Sequence, residues 1–269
     1  MPLLYRSSDL TLFEQCFESL GKSDENFVVI YNQGNLSQTT LEKMLAHYKI
    51  PNVVLGVGEN IGIAQARQKC FEYIWGNFKE VEYISEIHLD MVFPKNWYEP
   101  LLHFLDSTDE PMVSPGILTS SGELQPLNQF TVLPENTTDL ISLLEGFSKD
   151  EVRERFVHPV IHRAEVLKTI GGYDLQFLKG KQGYEDDSLL LGYYYYMGTR
   201  TNWRPKCFLK SWVYHATMAQ RMFVPDKELD FKANKEGLFV QYGAYGMKHL
   251  SHLHPNTSFF DDLLKEFLN

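Results

Sequence analysis

An α/β sandwich with a mostly parallel central sheet is the fold class that this sequence predicts. Three observations carry that expectation. FVVIY at 27–31 is a short apolar run that ends in the turn Asn32-Gln33-Gly34-Asn35. Residues 9–20 place Leu10, Leu12, Phe13, Phe17 and Leu20 at helical spacing, with Gly21 as a stop. The two signatures then alternate: helices over 40–48, 63–75 and 97–105, strands over 52–57 and 81–87. In such sheets ligands gather at the carboxyl ends of the strands.

Beyond residue 106 the alternation loosens. Strands are expected at 112–118, 130–136, 156–161, 201–203 and 211–215, with a hairpin-like turn at Ser120-Ser121-Gly122. An acidic helix is expected over 140–155, and another over 164–170 that stops at Gly171-Gly172. A further helix runs from Glu185 to Met197 and stops at Gly198, carrying Tyr193 to Tyr196 on several faces. SFFDDLLKEFLN at the end is amphipathic, with an acidic polar face that suits an anionic membrane poorly.

The bulk properties narrow the classes. At 269 residues the chain can bury one substantial core or two joined subdomains. Its net charge of -10 and the absence of a basic cluster argue against a nucleic-acid partner. Cys16, Cys70 and Cys207 are sparse, odd in number and without C-x-x-C, as in a cytosolic protein with reduced thiols. MPLLYRSSDL is too short and polar for a signal peptide, and no apolar run reaches the length of a membrane span.

Four constellations carry possible chemistry. Asn60-Ile61-Gly62-Ile63-Ala64-Gln65-Ala66-Arg67 opens a helix with small residues and brings Arg67 one to two turns in. That is an anion site, or a helix start packed on a sheet, with Asn60 as its cap. His88 and Asp90 in EIHLDMVFP share one face if the chain is extended, as metal ligands or as a solvated strand end. Glu185-Asp186-Asp187 opens a helix, where the dipole favours carboxylates; one of them can instead face a cleft as a general base, with Asp187 left to cap or face solvent. His215 completes His88-x-Asp90…His215, the donor set of a two-histidine, one-carboxylate iron site, with Arg221 downstream.

Taken in order, the segments resemble family 2 inverting glycosyltransferases of the GT-A (Rossmann-like) fold. The resemblance lies in VVIYNQGNLSQTT, ENIGIAQARQKCFEYI, HLDMVFPKNWYEPLL, MVSPGILTSSGELQP, IHRAEVLKTIGGYDLQF…GYEDDSLLLGYYYYMGTRTNWRP and VYHATM. It runs from about residue 1 to 220 and implies a nucleotide-binding part at about 1–106 and an acceptor and catalytic part at about 107–220, with 221–269 as a helical extension. It implies a nucleoside-diphosphate sugar donor, a UDP-sugar first, and a divalent cation, Mn²⁺ or Mg²⁺. Leu4, Tyr5, Arg6, Asn32, Gly34, Asn60, Gly62, Arg67 and His88 would line the donor site. Asp90 and His215 would bind the metal, Asp186 would act as base, and Glu185 is the second candidate for that role.

The acceptor would be a glycan or lipid-linked glycan in polysaccharide synthesis, handled in the cytoplasm or at the inner face of the membrane. A homodimer through the terminal helix is compatible with this. Two rival readings stand beside it: a non-catalytic relative that binds sugar nucleotides or glycans, and an Fe(II)/2-oxoglutarate dioxygenase using His88, Asp90 and His215.

Overall fold

Three parallel strands open the chain: β1 (Pro2–Leu3), β2 (Val28–Asn32) and β3 (Asn52–Leu55), paired in that order. The computed structural model describes residues 1–3, 9–23, 26–34, 36–156, 158–217, 227–254 and 257–268. Helices α1 (Leu10–Leu20), α2 (Gln38–Tyr48) and α3 (Ile63–Asn77) connect or follow these strands as their apolar spacing predicts. Ser37 caps α2, its hydroxyl accepting from the Thr40 amide at 3.2 Å.

The remaining elements are β4 (Tyr83–Glu86), β5 (Met91–Val92), α4 (Glu99–Asp106), β6 (Met112–Thr119), β7 (Glu123–Gln125), β8 (Gln129–Phe130) and α5 (Thr137–Gly146). After these come β9 (Val152–Glu154), β10 (Val160–Arg163), α6 (Ala164–Thr169), α7 (Glu185–Met197), β11 (Lys206–His215), α8 (Lys227–Leu253) and α9 (Thr257–Leu268). The larger sheet runs β4-β10-β6-β11-β5, with β7, β8 and β9 attached at its margins. Here β6 and β11 are parallel, while β10 is antiparallel to β4 and β6, and β5 to β11. The α/β class holds, with parallel pairing concentrated in the first sheet and in the β6–β11 pair.

Four expected elements differ, the first being the strand over 156–161, which begins only at Val160 as β10. The helix over 140–155 ends at Gly146 as α5, and the chain continues as β9 on the edge of β11. The Lys149 amide donates to the Leu209 carbonyl at 3.0 Å, so pairing with the sheet displaces helix growth after Gly146. The strand over 130–136 shrinks to β8, whose two residues are exposed and bury nothing that would extend them. Residues 201–203 form a bend and irregular chain rather than strand, and the Trp203 indole is held by Glu110 at 2.8 Å instead.

Apolar side chains gather in two clusters. One holds Phe13, Phe17, Leu41, Phe93, Leu101 and Trp212 beneath α1, α2 and α4. The other holds Leu189, Leu190, Tyr193, Leu238, Met247 and Phe260, so α7, α8 and α9 share one interior. No described helix is long and apolar enough to cross a membrane.

Candidate active site and metal cluster

The chain leaves β4 at Glu86, and residues 89–90 form a turn before β5. His88 and Asp90 therefore do not lie along one extended face, as their spacing predicted. They converge through the turn. The antiparallel register of β5 on β11 sets His215 opposite Met91, beside Asp90. As a result, His215 Nε2 lies 3.5 Å from Asp90 Oδ1 and 3.3 Å from His88 Nδ1. The three side chains offer ligand atoms that all lie within 4.8 Å of one another. Two imidazoles and a buried carboxylate suit a divalent cation of the transition series.

Arg67 lies beneath this cluster, only 3 % exposed. Its guanidinium donates to Asp186 Oδ1 and to the Tyr173 hydroxyl, both at 2.8 Å, and lies 3.1 Å from Glu86 Oε2. It also contacts His88 Nε2. A guanidinium only donates, so His88 Nε2 accepts and the neutral ring carries its proton on Nδ1, toward His215. Burial, then the charge of Arg67, holds His88 well below the ordinary histidine value, so the ring is neutral. Burial alone would push Glu86 up, but Arg67 and the His162 hydrogen bond override it and bring Glu86 down to about 2.

Asp186 comes from the first turn of α7, with Glu185 buried beside it at 1 % exposure. His158 Nε2 lies 2.9 Å from the same Asp186 oxygen that Arg67 holds. The next carboxylate, Asp187, neither caps nor faces solvent: it meets His254 Nε2 at the end of α8, 2.7 Å away. Asp186 and Asp187 thus meet different cationic or hydrogen-bonding partners, which offsets part of the mutual repulsion of adjacent carboxylates.

At the carboxyl ends of the first sheet, Asn32 and Gly34 form a tight turn. Asn32 Oδ1 accepts from the Gly34 amide at 3.2 Å, and the neighbouring Gln33 Oε1 accepts from the Ile61 amide at 3.1 Å. Asn60 does not cap α3; its Oδ1 accepts from the Gly62 amide at 3.0 Å, ahead of the helix. Gly62 has φ +92°, and a Cβ there would come within 2.7 Å of Lys181 Cα. The Ile63 amide donates to the Lys181 carbonyl at 2.8 Å. The start of α3 therefore packs against the backbone of Lys181. Arg67 likewise is buried among protein partners. Leu4, Tyr5, Arg6 and Arg221 lie outside the described residues.

Sequence reading missed Glu86, His158, His162 and Tyr173. Two of them carried a signal: Glu86 alternates with His88 and Asp90 at a period of two, and Tyr173 stands in the run Gly171-Gly172-Tyr173-Asp174. Tyr173 donates to Glu86 Oε2 at 2.8 Å, and His162 binds the other Glu86 oxygen at 2.9 Å while its Nδ1 meets the Tyr193 hydroxyl at 2.7 Å.

The α/β architecture excludes the jelly roll on which the iron dioxygenase reading depends. The fold is instead that of GT-A-like glycosyltransferases. It is similar to TarS 1-349 of S. aureus, with a TM-score of 0.56 and 16% identity over 100% of this chain and 69% of that one. The structure of TarS 1-349 in complex with UDP aligns with the same TM-score of 0.56 at 13% identity, over 100% of this chain and 69% of that one. The mannosyltransferase PcManGT from Pyrobaculum calidifontis, in complex with GDP-Man and Mn²⁺, gives 0.50 at 11% identity, over 98% of this chain and 66% of that one. No protein-family model matches the sequence, and no curated protein does.

Proposed function

We propose that the protein is an inverting glycosyltransferase that moves a sugar from a nucleoside-diphosphate donor, a UDP-sugar first, to the hydroxyl of a glycan or lipid-linked glycan acceptor. One observation carries the reading. Arg67 bridges Asp186 to His88, so the base candidate and the three-donor cluster form one connected site in a fold shared with glycosyltransferases. Bound UDP in one neighbour and GDP-Man with Mn²⁺ in another support the donor class and a metal.

In this mechanism Asp186 takes the proton of the acceptor hydroxyl. The oxygen attacks the anomeric carbon from the face opposite the diphosphate, the bond to the diphosphate breaks, and configuration inverts. Arg67 and His158 fix the Asp186 carboxylate by one oxygen. His88, Asp90 and His215 would hold a divalent cation, which when bound offsets the charge growing on the leaving diphosphate. Asn32 and Gly34 shape the turn beside the donor, and Asn60 fixes the adjoining turn. Glu185 is the buried neighbour of the base. Placement in the cytoplasm, peripheral at the inner membrane face, follows from the donor and acceptor classes rather than from any feature of the fold.

Thermal-shift screening of UDP- and GDP-sugars with and without Mn²⁺ tests the reading. A donor at about 100 times its Kd stabilises the native state by about 2.7 kcal/mol, which raises Tm by several degrees. A metal-dependent rise together with sugar transfer supports it. Binding without transfer or hydrolysis across the panel would leave a non-catalytic sugar-nucleotide-binding protein, and no binding at all would sink both.

A further inference from the structure

We propose that Tyr193 and His162 are positioning residues for Asp186, acting through a closed circuit of buried side chains that begins and ends on α7. For its kinetic consequence the inference rests on the transferase reading with Asp186 as base; the circuit itself rests on geometry alone. Tyr193 opens the run of four tyrosines, and it turns inward where Tyr195 and Tyr196 are exposed.

The circuit links α7, β10, β4 and α3. The Tyr193 hydroxyl meets His162 Nδ1 of β10 at 2.7 Å. His162 Nε2 lies 2.9 Å from Glu86 Oε1, at the end of β4. The other Glu86 oxygen lies 3.1 Å from Arg67 Nε. The Tyr173 hydroxyl joins the same two groups, accepting from Arg67 and donating to Glu86 Oε2, both at 2.8 Å. Arg67 of α3 then returns to α7 by donating to Asp186 Oδ1 at 2.8 Å. Asp186 and Tyr193 are seven residues apart, about two helical turns, so they project from one face of α7.

Each bond has a fixed direction. Glu86, ionised above about pH 2, only accepts. His162 Nε2 therefore donates to it, and Nδ1 of the neutral ring accepts from Tyr193. Burial, then the charge of Glu86, holds the Tyr193 phenol well above its ordinary value, so the hydroxyl keeps the proton that it donates. The His162 ring is fully buried and parallel to the Tyr193 ring, 5.6 Å between centroids and 1° between planes. It cannot turn over without losing both partners. A helix held at two points two turns apart can neither roll about its axis nor slide along it without breaking one of these bonds. The circuit therefore fixes the rotation of α7, and with it the direction in which the Asp186 carboxylate points. Loss of the Tyr193 hydroxyl frees one of the two points, and small displacements of a reacting group are costly in rate.

Tyr193→Phe removes the hydroxyl and leaves the ring. Its kcat per folded molecule is expected to fall at least about fivefold, with donor and acceptor KM within about twofold of wild type. Tyr194→Phe is the matched control, because Tyr194 is also buried on α7 but its hydroxyl donates to the Thr199 carbonyl, off the circuit. It should keep the wild-type kcat. A wild-type kcat in Tyr193→Phe, or an equal loss in both variants, would overturn the inference. ¹⁵N spectra of the histidine side chains in the full chain give a readout that needs no donor. Wild-type His162 is expected to carry a proton on Nε2. In Tyr193→Phe the signals of His158 and His88, which meet Asp186 and Arg67, are expected to move with those of His162. A proton on Nδ1 alone in the wild type, or changes confined to His162 in the variant, would equally overturn it. If these signals move together while no nucleotide sugar is turned over, the transferase reading fails and the circuit stands.

Discussion

Arg67 is the residue on which the site's geometry turns. Its single charge is shared among Glu86, Asp186 and the Tyr173 hydroxyl, and it donates to neutral His88. This burial is stable only because the carboxylates neutralise it; removing one leaves a buried charge without its partner. Asp186→Asn keeps the shape and the Arg67 hydrogen bond through its amide oxygen but cannot take a proton. We expect donor binding to survive and transfer to fall by about two or more orders of magnitude. Transfer near the wild-type rate would remove Asp186 from the base role.

Glu86 gives a stability prediction at the same scale. Its folded value of about 2 lies below the ordinary 4.5, so between those values the unfolded chain binds a proton that the native state does not. Its contribution is complete above about pH 4.5 and is lost as the pH falls toward 2. Glu86→Gln should lower stability at pH 7 and flatten that acid limb in urea titrations. An unchanged limb would show that Glu86 carries none of it. Residue identities here were half legible. Asp186, Asp90 and His215 stood in recognisable runs, whereas His158 is a lone histidine before a proline and meets Asp186 only through the fold.

Elements were legible where the signal is local. The start of α7 was marked by three carboxylates and its end by Gly198, and both boundaries hold. The pairing of β9 on β11 was not legible, because it depends on a partner more than fifty residues away whose edge outcompetes helix growth. The Gly171-Gly172-Tyr173-Asp174 element shows a local signal with a distant use. Gly172 has φ +68°, and a Cβ there would lie 2.4 Å from Gln68 Oε1. That oxygen accepts from the Tyr173 amide at 2.9 Å, and so aims Tyr173 at Arg67 and Glu86. Gly172→Ala should therefore destabilise by about 1–3 kcal/mol in denaturant titrations. It should also reduce transfer, because Tyr173 moves with the turn. Full stability would mean that the Gln68 side chain yields freely.

At the scale of the molecule, the C-terminal helices brace the loop that leads into Asp186. Asn234 of α8 is fully buried and accepts from the Gly180 amide at 2.6 Å. Its amide donates to the carbonyls of Gly180, Gln182 and Gly183, the last at 2.7 Å. The same loop packs its Lys181 backbone on the start of α3 and continues through Tyr184 into Glu185 and Asp186. Asp187 closes the arrangement on His254 at the other end of α8. None of this was legible in the sequence, where 221–269 read as an appended helical extension and Asn234 as one polar position among many.

Asn234→Ala leaves a buried amide and several carbonyls without their partner, at a cost of about 2–4 kcal/mol. Asp230→Ala removes one exposed bond to the Lys181 amide, 3.0 Å long, and should cost no more than about 0.5–1 kcal/mol. Because the loop positions Asp186, the Asn234 variant should lose kcat beyond what its unfolded fraction explains, while metal affinity at His88, Asp90 and His215 stays near wild type. Metal affinity and kcat falling together would mean that the brace supports the whole site. A variant as stable and as active as the wild type would mean that α8 only covers the loop and does not hold it.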